Sequence, residues 1–189
     1  TIHRHGIQNV RVLDRTFNFN PRRAKELLNL FLEFHPHIRF HLEIHPALLS
    51  EELKSELQKL PKGLLHLEAG IQSLREPVLE KCRRLGKLSD ALEGLKFLCS
   101  LDNMETHADL IAGLPLYRLN EIFEDILSLA EYQAGEIQLE SLKLLPGTEM
   151  RRRAEELGIR YSPLPPYEVL VPRNLGWVYS CRWIFNYFG

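Results

Sequence analysis

Five segments of this chain share one design, in which an apolar or alternating stretch ends in an acidic residue or in a turn with glycine or proline. The segments are VRVLDRTFN, IRFHLEIHP, LLHLEAGIQS, METHADLIAGLP and IQLESLKLLPGT. Amphipathic, helix-like stretches lie between them. Alternating strands and helices predict a parallel α/β fold, and a parallel barrel builds its site at the carboxyl ends of its strands. The candidate site residues at those ends are Asp14, Glu43, Glu68, Gln72 and Asp109.

The length of 189 residues limits how much of a barrel the chain can form. A full eightfold barrel needs about 250 residues, so we predict a partial (β/α) TIM-type barrel with about five parallel strands and helices outside. Residues 1–161 would form this barrel, and 162–189 a proline-rich and aromatic C-terminal segment. The start, TIHRHGIQ, lacks an initiator Met, so we expect the chain to begin inside a longer sequence.

Composition excludes few partners. The formal net charge of -1 gives no general attraction to nucleic acid or membranes, although the basic run at 151–153 leaves nucleic acid open. We find no run of about twenty apolar residues, which a membrane-spanning helix would need. The cysteines Cys82, Cys99 and Cys181 are widely spaced and form no CxxC pair. A reducing, cytoplasmic location is the simpler interpretation.

Local signals place several element boundaries. Val10 to Leu13 is an apolar run, which predicts a buried strand, and Asn20 followed by Pro21 predicts a capped helix start. Ile38 to Ile44 alternates between apolar and polar residues, and in a barrel the polar face of such a strand points inward. After 161 we expect an extended proline-rich segment.

Further along the chain, Ser50 is a plausible N-cap for the helix after the second strand, and Ser89 for the second half of a helical region over 76–101. The helix predicted over 120–132 has an apolar face. That face consists of Ile122, Phe123, Ile126, Leu127 and Ala130.

Three predicted strands share the pattern histidine, any residue, acid. The pairs are His41 with Glu43, His66 with Glu68, and His107 with Asp109. Side chains alternate between the two faces of a strand, so the histidine and the acid of each pair lie on the same face. We interpret the histidines mainly as a hydrogen-bonded core layer. We interpret the acids as functional, because burying an unpaired carboxylate costs about several kcal/mol.

Two turns carry specific binding chemistry. In EAGIQS, the carboxylate, amide and hydroxyl of Glu68, Gln72 and Ser73 can accept from and donate to a ribose diol. In DLIAGLP, Gly113 lets the backbone approach a flat ligand closely. A plain strand exit remains an equal interpretation of DLIAGLP and of the similar LLPGT.

Taken in order, these turns resemble the radical S-adenosylmethionine (SAM) superfamily. They are most similar to the branch with cobalamin-binding radical enzymes, tRNA methylthiotransferases and coproporphyrinogen oxidase-like proteins. EAGIQS is similar to the ribose-binding strand, DLIAGLP to the adenine-side glycine–proline motif, and LKLLPGT to the last adenine-contacting strand. LDRTFN stands at the motif for the methionine amino group, and EIHP matches the acid after the third strand.

The resemblance implies a role for each site residue. Asp14 would bind the methionine end of SAM, and Glu43 would orient it. The ribose would be held by Glu68, Gln72 and Ser73, and the adenine lined by Gly113, Pro115, Leu144 and Leu145. The family's chemistry is reductive cleavage of SAM to a 5'-deoxyadenosyl radical, with an electron from a [4Fe-4S] cluster on a Cys-x3-Cys-x2-Cys loop.

The chain departs from this family where the cluster should bind. The cysteine loop and the strand before it are missing, so the cluster ligands are not in this chain. Arg15 and 116–118 also differ from the residues that relatives commonly carry. We therefore expect a partial radical SAM barrel that is inactive alone and prone to self-association at its open edge. Substrate, and cobalamin use by the full-length protein, stay open.

Two other functions stay open at this stage. One is a metal-dependent hydrolase barrel with His45, His66, His107 and Asp109 as ligands, because strand-end histidine and aspartate build such sites. The other is a degenerate, non-catalytic barrel that serves as a binding module.

Overall fold

The computed structural model describes residues 5–172. Five strands follow one another in the sheet in sequence order and run parallel. They are β1 (Asn9–Arg11), β2 (Arg39–Ile44), β3 (Leu65–Gln72), β4 (Glu105–Ala112) and β5 (Glu136–Ser141). The helices between them are α1 (Pro21–Leu32), α2 (Glu51–Lys59), α3 (Glu76–Lys81), α4 (Leu88–Cys99) and α5 (Leu119–Ala130). After β5 come α6 (Glu149–Arg152), β6 (Ile159–Tyr161) and β7 (Val169–Pro172).

The chain forms two compact units. The first contains residues 5–71, 85–109 and 129–138, and the second contains 72–84, 110–128 and 139–172.

The first unit confirms the alternation predicted for β2. Phe40, Leu42 and Ile44 are buried, while the residues between them are partly exposed. The ring of Phe40 stacks on Phe31 of α1, with the ring centroids 4.0 Å apart. The apolar side of the strand therefore packs on a helix, which leaves the opposite, polar side of β2 for other groups.

Two predicted helix starts are confirmed. Asn20 caps α1 by accepting the backbone N–H of Arg23, and Pro21 is the first helical residue. Ser50 caps α2 by accepting the N–H of Leu53. Each cap is a contact between residues three positions apart, which a sequence pattern can specify without knowledge of the fold.

Two other local predictions are wrong. The run Val10 to Leu13 is not a buried strand, because β1 pairs only with β2 and Leu13 is 93% exposed. Ser89 does not cap the helix over its second half. Helix α4 begins at Leu88 with Lys87 at its N-cap, so Ser89 lies inside the first turn. The Ser89 hydroxyl donates to its neighbour Asp90.

The second unit has its own apolar core. Its buried residues are Val78, Ala112, Leu114, Tyr117, Ile122, Leu142, Leu144, Ala154 and Ile159. Helix α5 supplies Ile122, but Phe123 and Leu127 of the predicted apolar face are exposed. The apolar stripe on α5 is therefore narrower than the sequence predicts.

The segment after residue 161 contains strand β7, so it is not only a plain extended stretch. Strands β6 and β7 pair antiparallel, with Tyr161 opposite Val169, across the predicted domain boundary. The predicted aromatic segment lies mostly outside the described residues. Within residues 5–172, no helix is both long and apolar enough to cross a bilayer.

Candidate functional site

Strands β2 and β3 place two pairs of polar residues side by side. In the parallel register Glu43 lies opposite Glu68, and His41 lies opposite His66. Partners in register share a face of the sheet. The acids and histidines therefore form two adjacent rows on one side, which we call the polar face.

Glu68 is the most enclosed carboxylate on this face, at 7% side-chain exposure. Arg11 donates through Nη2 to both of its oxygens, at 2.5 Å to Oε1 and 2.6 Å to Oε2. Two imidazole nitrogens also approach Oε1, the Nε2 atoms of His41 at 2.7 Å and His107 at 3.5 Å. The buried charge is thus paired with a guanidinium, as burial requires.

Arg11 lies between two carboxylates. Its Nη2 is also 3.8 Å from Oε1 of Glu43, whose side chain is 38% exposed. The register Arg11 opposite His41 explains this position, because it brings the guanidinium from the edge strand to the polar face. Arg11 was not among the site residues predicted from the sequence. The available signal was an arginine within a predicted strand, two residues before the apolar Leu13.

The histidines are joined by directed hydrogen bonds. Arg39 Nη2 is 2.9 Å from Nδ1 of His66, and since a guanidinium can only donate, this nitrogen accepts. The proton of His66 then lies on Nε2, which is 3.0 Å from Nδ1 of His107. His107 in turn directs Nε2 toward Glu68. We assign the tautomers from this network.

The environment disfavours the charged forms of His66 and His107. Burial, together with the neighbouring His107, His41 and Arg39 and against the carboxylate of Glu105, lowers the pKa of His66 to about 4. Burial also lowers the pKa of His107, although Glu68 and Glu136 oppose the shift. Neutral imidazoles are the form that accepts hydrogen bonds and binds metals.

Asp14 follows β1 and is bound by two groups. Arg23 of α1 donates to Oδ2 at 2.5 Å, and the backbone N–H of Thr16 donates to Oδ1 at 3.3 Å. The hydrogen bond from Arg23 lowers the pKa of Asp14, an effect that burial opposes and the Thr16 N–H reinforces. The carboxylate is therefore ionised and held at the start of α1.

In the second unit, the turn after β3 is built on a buried acid. Gln72 has a positive φ of 74°, and Ser73 is fully buried. Asp125 of α5 accepts the N–H of Leu74 at 2.8 Å, the Nε–H of Arg75 at 2.8 Å and the Ser73 hydroxyl at 3.4 Å. The Ser73 hydroxyl is therefore bound within the turn. Asp125 was missed because it lies about fifty residues away in sequence.

Gly113 and Pro115 form a tight exit from β4. Gly113 has a φ of 91°, a region that favours glycine, and a Cβ there would meet Leu142 at 3.5 Å and Val169 at 3.8 Å. Pro115 is buried, and Leu116 after it has a φ of 69°. The turn therefore needs glycine at position 113.

The backbone at 144 and 145 is partly occupied by internal hydrogen bonds. The N–H of Leu144 donates to the carbonyl of Tyr167 at 2.9 Å, and its carbonyl accepts from Arg151 at 3.0 Å. Thr148 donates its hydroxyl to the carbonyl of Leu145 at 2.8 Å. A carbonyl oxygen has two lone pairs, so the Leu144 carbonyl keeps an accepting site. The Leu145 carbonyl uses both, because it also accepts the N–H of Thr148 at 3.3 Å.

Among residues 5–172 one group of three could hold a metal ion, His41, His66 and His107. This differs from the hydrolase set predicted from sequence, because His41 takes the place of His45 and Asp109. Cys82 and Cys99 are half-buried free thiols in that part of the chain. Burial raises the pKa of Cys82 to about 11, which disfavours the thiolate that binds metals.

Searches for related proteins find structures only. No protein-family model matches the chain. No curated protein sequence matches it either.

Three solved structures are similar in fold. The radical SAM methyltransferase TsrM from Kitasatospora setae, with cobalamin and a [4Fe-4S] cluster bound, has a TM-score of 0.67 and 18% identity, over 92% of this chain and 36% of that one. TsrM with tryptophan substrate and a SAM analog has a TM-score of 0.65 and 20% identity, over 86% and 33%. The Escherichia coli radical SAM enzyme HemN, coproporphyrinogen III oxidase, has a TM-score of 0.55 and 18% identity, over 68% and 30%.

These similarities confirm the predicted fold class, an α/β fold of partial TIM-barrel type as found in radical SAM enzymes. The chain spans about a third of the length of these structures.

Proposed function

We propose that this chain is the SAM-binding part of a radical SAM enzyme. The observation that carries the proposal is the fold similarity to TsrM over 92% of the chain. A second support is the polar face, where Glu43 near the carboxyl end of β2 lies opposite Glu68 in the middle of β3. Parallel barrels bind their ligands at that end of the strands.

In this proposal Glu68 accepts a ribose hydroxyl. Arg11 uses one lone-pair site on each carboxylate oxygen, and the imidazole contacts of His41 and His107 are with Oε1. Oε2 therefore keeps a site for a hydroxyl proton. Gln72 would add its side-chain amide. Ser73 belongs to the same turn, but since Asp125 and Arg75 engage its hydroxyl, it would position Gln72 rather than touch the ribose.

The methionine end of SAM would meet Asp14 and Glu43. Asp14 is ionised and could pair with the methionine ammonium group while Arg23 stays bound to it, because each carboxylate offers about four accepting sites. Glu43 is partly exposed and makes only a long contact with Arg11, at 3.8 Å. It is therefore free to orient the ligand.

Adenine would lie against the backbone of the second unit. Gly113 and Pro115 would line the ring through the backbone of their turn, which needs the φ of 91° that Gly113 adopts. The carbonyl of Leu144 keeps an accepting site, which suits the exocyclic amine of adenine, and Leu145 would line the ring beside it.

The residues of the chain do not fit a [4Fe-4S] cluster. Such a cluster needs cysteine thiolates, and none of the three cysteines of the sequence lies within the Cys-x3-Cys-x2-Cys spacing. We propose that the cluster ligands come from outside these 189 residues, and that radical generation depends on them. The structures of TsrM hold cobalamin and, in the second, tryptophan substrate.

Calorimetry with S-adenosylhomocysteine tests the proposal, because this stable analog presents the same ribose and adenine. Glu68→Gln should weaken binding by about 1–3 kcal/mol, the value of a charge-assisted hydrogen bond. Glu52→Gln is the matched control, since Glu52 is an exposed acid on α2 that contacts Lys25. Equal affinities for the two variants would remove Glu68 from the site.

A further inference from the structure

The three histidine rings of the polar face each have one nitrogen close to a nitrogen of the other two. His41, His66 and His107 come from three neighbouring strands, and each offers a ring nitrogen within 4.8 Å of the other two. The closest pair, Nε2 of His66 and Nδ1 of His107, is 3.0 Å apart. Zinc–nitrogen bonds of about 2.0–2.1 Å in a tetrahedron would place two ligand nitrogens roughly 3.3 Å apart. A shift of a few tenths of an ångström would let this pair share an ion.

A carboxylate oxygen also lies within 3.5 Å of one nitrogen of each ring. Glu68 Oε1 is 2.7 Å from Nε2 of His41 and 3.5 Å from Nε2 of His107. Glu105 Oε2 is 3.5 Å from Nδ1 of His66. Metal-binding histidines usually donate their outer N–H to a carboxylate or carbonyl, which fixes the tautomer and strengthens the ligand.

The charges around the rings favour a cation. Two guanidiniums lie nearby, but Arg11 is bound to Glu68 and Arg39 to Glu105. Four carboxylates lie within 4.0 Å of the rings or of these arginines. They are Glu43, Glu68, Glu105 and Glu136. Four negative and two positive groups leave an excess of two negative charges beside the three rings.

The cluster borders a cavity of about 230 Å³. His41 and His66 line it, together with residues of β1 and with Arg39. This volume exceeds the space of about 30 Å³ that one water occupies. Three imidazoles with room for a water at the fourth position is an arrangement that zinc sites use.

We propose that His41, His66 and His107 bind one divalent metal ion of the zinc class, with Glu68 and Glu105 as outer hydrogen-bond acceptors. Binding would replace the hydrogen bond between His66 and His107 by two metal–nitrogen bonds. Arg39 would turn from His66 toward Glu105, because a metal-bound His66 carries its proton on Nδ1. Imidazole ligands suit zinc, copper, nickel and iron.

Cobalt(II) is the probe, because it replaces zinc and a tetrahedral complex absorbs visible light. The tag-free 189-residue chain is stripped with a chelator and titrated with Co²⁺, then with Zn²⁺ in competition. We expect one site per chain. His66→Ala and His107→Ala should each weaken binding at least tenfold, since even outer partners contribute about 10–100-fold. His37→Ala is the control, because His37 is exposed on the turn before β2.

A second variant protects the test against misfolding. Glu105 is 70% exposed, so Glu105→Gln should keep the circular dichroism of the wild type and weaken Co²⁺ binding about tenfold. Binding that is lost in His66→Ala and weakened in Glu105→Gln, but unchanged in His37→Ala, supports the site. Absence of saturable binding in the wild type, or equal affinities in all variants, would show that the rings are only a hydrogen-bonded layer.

Discussion

Arg11 binds both oxygens of Glu68, at 2.5 and 2.6 Å, from the edge strand of the sheet to its third strand. The bond fixes the plane of a buried carboxylate that would otherwise lose the solvation of its charge. It also fixes the direction of the Oε2 lone pair that is left to accept a hydrogen bond. The same pair therefore stabilises the fold and prepares the proposed ribose contact.

Arg11→Ala should lower the free energy of unfolding by about 1–3 kcal/mol, because a charged hydrogen-bond partner of a buried group is lost. It should also weaken S-adenosylhomocysteine binding, as Glu68 loses its orientation. Urea unfolding and calorimetry measure the two effects. Arg22→Ala is the control, since its exposed pair with Glu26 is worth at most about 0.5 kcal/mol. Equal stabilities of the two variants would refute the role of Arg11.

Asp125 should be the main anchor of the turn after β3. Asp125→Ala leaves the buried Tyr117 hydroxyl, which donates to Asp125 at 2.6 Å, and the N–H of Leu74 without their acceptor. We expect a loss of about 2–4 kcal/mol in unfolding free energy. Glu124→Ala is a close control, because Glu124 also pairs with Arg75 but is exposed. A loss no larger than that of the control would contradict this account.

The pair of Asp14 and Arg23 predicts a pH dependence. The pKa of Asp14 is lowered in the folded state, so its contribution to stability is present above the ordinary value of 3.8 and is lost as pH falls through the lower, folded pKa. Asp14→Asn should remove that acid dependence and cost about 0.2–1 kcal/mol at neutral pH. Urea unfolding between pH 2.5 and 7 compares the variant with wild type. Parallel curves over that range would exclude the pair as a source of stability.

Gly94 should be intolerant of a side chain. A Cβ at this position of α4 would overlap the carbonyl of Pro46, which is backbone and cannot rotate away. We expect Gly94→Ala to destabilise the chain by about 1–3 kcal/mol, as overpacking does, despite the better helix propensity of alanine. Glu93→Ala, at an exposed neighbouring position, is the control in thermal unfolding. A melting temperature equal to or above that of wild type would contradict the contact.

Sequence reasoning succeeded where the signal was local. The alternation of β2 fixes which side chains are polar and which pack on α1, and the caps at Asn20 and Ser50 need only their own first turn. The order of the strand-end turns was enough to predict the family fold, because parallel βα units repeat along the chain.

Sequence reasoning failed where burial or a contact depends on residues that are far apart in the chain. Leu13 is apolar but exposed, because burial depends on what packs against the edge strand and not on the run of residues. The contact of Arg11 with Glu68 joins positions 57 apart, and that of Asp125 with Ser73 joins positions 52 apart. Such pairs follow from register, which short patterns do not encode. Self-association at the edge strand stays a prediction.

A crystal structure of the chain soaked with S-adenosylhomocysteine tests the central claim most directly. The account predicts the ribose hydroxyls within hydrogen-bond distance of Oε2 of Glu68, while Arg11 keeps its bond to the same carboxylate. It also predicts the adenine beside Gly113. The ligand bound elsewhere, or Glu68 without a ribose contact at full occupancy, would contradict the assignment of this polar face as a SAM site.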